Sequence, residues 1–98
     1  MNAEHIKEVL AGSKHALRAI RGGEHLNEEE ERLRRMGASQ TFLEAFRQAR
    51  ALVALRGAMA LGFRIRKLEK MVASKPPEKV ADEIIRYYGY QKSSRKGF

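Results

Sequence analysis

Residues 39–77 read SQTFLEAFRQARALVALRGAMALGFRIRKLEKMVASKPP, and this stretch decides the fold. Ser39 is a residue type that caps helix N-termini, and Pro76-Pro77 is a stop. No proline lies between them. Phe42, Leu43, Phe46, Ala49, Val53, Ala60, Leu68, Met71 and Val72 suggest one buried face, which predicts a long central helix over residues 40–73. Ala51 to Phe63 is apolar apart from Arg56. It falls short of the roughly twenty residues that cross a bilayer and reads as a buried helix. Gly57 and Gly62 interrupt it, and each costs about 1 kcal/mol against alanine inside a helix. They mark a kink, a split into two helices, or the close approach of a neighbour.

The flanking segments are helical as well. Asn2 caps a first helix over residues 3–21, with Glu4 in the first turn and Ile6, Val9, Leu10, Ala16, Leu17 and Ile20 as its apolar stripe. Gly12-Ser13 is a soft point in that helix, and Gly22-Gly23 ends it. Asn27 caps a second helix over 28–36. Glu28 to Glu31 stand at its start and Arg32, Arg34 and Arg35 at its end, as the helix dipole favours. Glu28–Arg32, Glu30–Arg34 and Glu31–Arg35 are i,i+4 pairs, so this block reads as a solvated surface helix. The other reading is an acidic surface that contacts a basic partner. Pro77 opens a last helix over 77–88, with Val80, Ala81, Ile84, Ile85 and Tyr88 on its apolar face. The expected fold is all-α: one helical domain over 1–89, about four helices with one long central helix, then a basic aromatic tail over 90–98. Phe46, Val53, Leu68 and Ile84 are expected in the core.

Charge narrows the function. Twenty Lys and Arg face twelve Asp and Glu, for a net charge of +8. Residues 24–38 carry five Glu and three Arg, whereas residues 39–75 carry eight basic and two acidic side chains. Such a field attracts phosphate or acidic protein surfaces. His5, His15 and His25 fit no zinc-ligand spacing, and Asp82 is the only aspartate. No Gly-rich phosphate loop or nucleophile elbow is present, so a non-enzyme without metal or cofactor is expected. The chain has no Cys and no apolar leader at its N-terminus, which fits a cytoplasmic setting.

Two clusters carry the candidate contacts. Arg66, Lys67 and Lys70 share one helix face, with Arg64 at its flank and Arg56 on the same side two turns earlier. Lys75 extends this group. The second cluster is Arg86, Tyr87, Tyr88, Tyr90 and Lys92, continued by Arg95, Lys96 and the terminal Phe98. There, rings interleaved with cations can stack bases or pack on the domain. Met36 to Ser39 is the one candidate helix-turn-helix corner. Phe42, Leu43, Phe46 and Leu52 on the following helix look like core and argue against groove entry. Two functions remain. One is a small nucleic-acid-binding regulator. The other is a protein-binding inhibitor or adaptor, of the kind phages and mobile elements encode, docked on an enzyme of nucleic-acid metabolism. The apolar 51–63 helix can also supply a homodimer seam.

Overall fold

A computed structural model of the protein describes residues 2–88, with side chains through Arg86. The order is α1 (Ala3–Arg21), α2 (Leu26–Arg35), α3 (Gln40–Arg56), α4 (Ala58–Ser74) and α5 (Pro77–Tyr88), with no strand among the described residues. The tail over 90–98 lies outside them.

Local chemistry sets most helix ends. The Asn2 side chain accepts from the His5 backbone N–H at 3.0 Å, and the Ser39 hydroxyl accepts from the Phe42 N–H at 3.0 Å. Each satisfies a donor that the first helical turn leaves unpaired. Pro77 occupies the first position of α5, where its missing N–H is no loss. α2 begins earlier than its sequence suggests. His25, not Asn27, stands at the N-cap and makes no side-chain cap bond. The Asn27 amide oxygen instead accepts from Arg50 Nη2 at 2.9 Å, tying α2 to α3.

The single helix expected over 40–73 is two helices. Gly57 separates them at φ 93° and ψ 165°, a backbone region that a Cβ effectively forbids. The break turns part of the apolar stretch out of the interior. Leu55, Met59 and Phe63 are exposed, and Leu52 and Val53 are half-buried. Residues 51–63 therefore form an elbow with an exposed outer side and only Leu61 fully buried, not a buried helix, and Val53 is not a core residue. Val72, expected on the buried face, is exposed as well.

Phe46, Leu68 and Ile84 are buried, as their stripes require. Two clusters make the core. In one, Ile6 and Val9 of α1 meet Leu68 and Met71 of α4 and Val80, Ala81 and Ile84 of α5. In the other, Ala16, Leu33, Leu43, Phe46, Leu61 and Ile65 bring α1 to α4 together. Leu10 packs against both.

α1 and α3 form the closest pair of the bundle. Gly12, Ser13, Ala16 and Ala19 are buried on α1, and Ala45 and Ala49 are buried on α3. A Cβ at Gly12 would sit 2.6 Å from the Phe42 carbonyl oxygen and 2.8 Å from the Ala45 Cβ. Gly12-Ser13 is thus a contact point and not a soft one. The Ser13 hydroxyl is satisfied within α1, donating to the Val9 carbonyl at 2.9 Å.

Two glycine-to-alanine changes should move stability in opposite directions. Alanine gains up to about 1 kcal/mol of helix propensity at either site. At Gly62 a Cβ meets nothing within 4 Å, so Gly62→Ala should raise the unfolding midpoint. At Gly12 the clash is with backbone, and overpacking of about 1–3 kcal/mol outweighs propensity. Gly12→Ala should lower the midpoint in urea unfolding. An unchanged or raised midpoint would refute the close α1–α3 approach.

Candidate functional site

α4 turns by about 100° per residue, which sorts its side chains into two faces. Leu61, Ile65, Leu68 and Met71 are buried against the core. Met59, Phe63, Arg66, Lys67 and Lys70 fall on the opposite arc and are exposed. This outer stripe is apolar in its first half and cationic in its second. The Arg66 guanidinium carbon lies 5.1 Å from the centroid of the Phe63 ring, a cation–π contact that joins the halves. On the flank of α4, Glu69 pairs with Lys14 of α1 at 2.6 Å and is turned away from the stripe's cations.

The remaining basic residues predicted for the site divide into two places. Lys75 hydrogen-bonds and ion-pairs with Glu83 of α5. That bond holds the Glu83 carboxyl below its ordinary range, and the charges of Lys67 and Arg86 add to the effect. Lys67, Lys75 and Arg86 therefore share one carboxylate at the α4–α5 corner. Arg56 does not continue the α4 stripe, because Gly57 breaks the helical phase between them. Arg56 and Arg64 instead line a shallow cleft of about 420 Å³ at the elbow, with Gln48, Ala51, Leu52 and Leu55. The Tyr87 side chain and Tyr90, Lys92, Arg95, Lys96 and Phe98 lie outside the described residues. Leu43 and Phe46 of α3 are buried and Phe42 and Leu52 are half-buried, so the apolar side of the helix that follows the 36–39 corner is packed into the bundle.

The acidic block on α2 is a solvated face only in part: Glu28 and Glu31 are exposed as its composition suggests, and the other two glutamates are not. Glu29 is buried, and Glu30 is half-buried. Glu29 accepts from Arg32 Nη2 at 2.5 Å and from Arg32 Nε at 3.0 Å, and His15 Nε2–H of α1 donates to it at 2.5 Å. The hydrogen bonds from Arg32, then His15, lower the Glu29 carboxyl from 4.5 to about 2. Glu30 accepts from Arg47 Nε at 2.5 Å and from Arg50 Nη1 at 2.9 Å. Burial works against its ionisation, but the two arginines prevail and hold it below the ordinary range. Of the expected i,i+4 pairs, Glu30–Arg34 stands at 3.6 Å and Glu31–Arg35 at 3.9 Å, while Arg32 turns to Glu29 in place of Glu28. The sequence carries a signal for this burial. Glu29 and Glu30 lie three and four residues from Leu26 and Leu33, on the same inward face.

Among the described residues no group of three His, Asp or Glu side chains converges as a metal-ligand set. No helix among them is long and apolar enough to cross a membrane. No protein-family model, curated protein or solved structure matches the chain.

The Glu29 pair gives a pH signature. Its carboxyl is lowered in the folded state, so its stabilisation is complete above pH 4.5 and is lost as pH falls toward about 2. Glu29→Gln should cost about 1–3 kcal/mol at neutral pH. That corresponds to a Tm drop of about 4–8 °C per kcal/mol for a domain of this size. The variant should also lose less stability than the parent between pH 4.5 and 2. Parallel Tm-versus-pH curves for the two proteins would show that the pair does not contribute.

Proposed function

We propose that this is a small, non-enzymatic nucleic-acid-binding regulatory protein that grips phosphates through the outer face of α4. The observation that carries the reading is the way charge is matched across the bundle. On the α2 side, Arg32, Arg34, Arg47 and Arg50 each meet a glutamate. On α4, Arg66, Lys67 and Lys70 are exposed side by side, and the carboxylate that feels Lys67, Glu83, is already bonded to Lys75 and also feels Arg86. A phosphate backbone supplies the missing anions and releases its own counterions on binding.

The composition of the face favours backbone contact over base reading. It holds no Asn or Gln, the side chains that pair with adenine edges, and phosphate contacts alone carry no sequence information. Phe63, with Arg66 over its ring, offers a planar surface on which an unpaired base can stack. The tail residues Tyr90, Lys92, Arg95 and Lys96 repeat this mixture of ring and cation in sequence. The absence of cysteine suits a cytoplasmic place of action.

Three phosphate contacts on α4 predict a slope of about −2 to −3 when log affinity is plotted against log salt. Arg66→Glu with Lys70→Glu should weaken binding to single-stranded oligonucleotides of every sequence alike. Fluorescence anisotropy at several salt concentrations reads both. No binding at about 50 mM salt, where such contacts are strongest, would overturn the proposal.

A further inference from the structure

The elbow between α3 and α4 carries apolar side chains, Leu55 and Met59, that the phosphate reading leaves unused. Leu55 is 83% exposed, Met59 73% and Phe63 58%, so three of the five large exposed hydrophobics of the described residues fall within nine positions. They are continuous with half-buried Leu52 and Val53, which pack against the core. Residues 45–68 contain no Asp or Glu, yet carry Arg56, Arg64, Arg66 and Lys67 around this apolar centre. The cleft of about 420 Å³ between the helices repeats the pattern on a smaller scale. Ala51, Leu52 and Leu55 supply apolar lining, and Arg56 and Arg64 the cationic part.

We propose that the elbow is a docking surface for a protein partner that presents an amphipathic helix, with an apolar stripe bordered by carboxylates. The occupant follows from charge complementarity. The Arg56 guanidinium beside the cleft pairs bidentately with a carboxylate of the partner, while an apolar side chain of the partner enters between α3 and α4. A second copy of this chain fits poorly. A two-fold contact through the elbow would set one cationic patch against another with no Asp or Glu within residues 45–68 to answer it, and like charges across an interface oppose association. A single strand of nucleic acid gains nothing from Leu55 or Met59, which have no planar face to stack on. An anionic lipid surface matches the charge but has no projecting side chain to fill a cleft.

The test uses the full chain and a fluorescein-labelled helical peptide with leucines at i, i+3, i+4 and i+7 bordered by glutamates. A peptide of the same composition in scrambled order is the control. The patterned peptide should bind about tenfold or more tightly than the scrambled one. Leu55→Ser, Met59→Ser and Arg56→Glu should each weaken it several-fold. These side chains are exposed, so circular dichroism should report an unchanged fold. Oligonucleotide binding should survive Leu55→Ser, which separates a failure here from a failure of the phosphate reading. Equal binding of the two peptides, or binding indifferent to Leu55→Ser and Met59→Ser, would overturn the proposal. So would Leu55-dependent self-association in sedimentation, or Leu55-dependent binding to phosphatidylserine vesicles, without peptide binding.

Discussion

At Gly12 the backbones of α1 and α3 meet with no room for a methyl group, and the rest of the bundle is arranged around that contact. Small side chains at Ser13, Ala16 and Ala19 on one helix and Ala45 and Ala49 on the other keep the pair close along its length. Phe46 is fully enclosed, and His15 of α1 lies 5.9 Å from its ring. Leu43 is buried in the same cluster, and Leu10 packs against both clusters. α4 and α5 then close one side over Ile6 and Val9, while α2 closes the other through Leu33 and its glutamates. A small chain with no disulfide gains its rigidity in this way from backbone proximity more than from bulk.

The sequence made the helices legible because their end signals are local. Asn2, Ser39, Gly22-Gly23 and Pro77 act through one or two hydrogen bonds or a fixed φ, and the structure uses them where they stand. Two features escaped. The 51–63 stretch has the composition of a core helix, but burying it requires partners on several sides, and a left-handed residue at Gly57 turns it to the surface instead. Helix propensity could not decide between a kink and a break, since a glycine weakens a helix in either case. The second feature is the acidic block. A run of four glutamates resembles solvated surface, yet Glu29 and Glu30 lie over α1 and α3, where His15, Arg47 and Arg50 come from distant positions. Only the three-dimensional arrangement supplies those partners, although the Leu26–Leu33 spacing marks the face on which they lie.

The candidate site was legible in part. Arg66, Lys67 and Lys70 share a face because helical geometry alone places them there. Arg56 left that face when the helix broke, and Lys75 was drawn into a pair with Glu83. The result is a molecule with two electrostatic characters. The α2 side is an internally matched network in which Glu29 and Glu30 each hold basic groups from two helices. The α4 side keeps its cations outward, next to an apolar patch. Positive charge in a small protein is self-repelling, and pairing the arginines of the α2 side with glutamates leaves more of that cost on the outer face of α4.

Gly57 also has a bearing on how freely the sequence can drift. In one continuous helix, every residue added or lost in α3 would rotate the faces of α4 by about 100° and carry its cations toward the core. A residue outside helical geometry resets that phase. The helical registers of α3 and α4 are thus uncoupled, and each face can be tuned by substitution or by small length changes without recalculating the other. The elbow acts as a joint between two separately indexed surfaces, one committed to holding α1 and the other open to selection by whatever the protein meets.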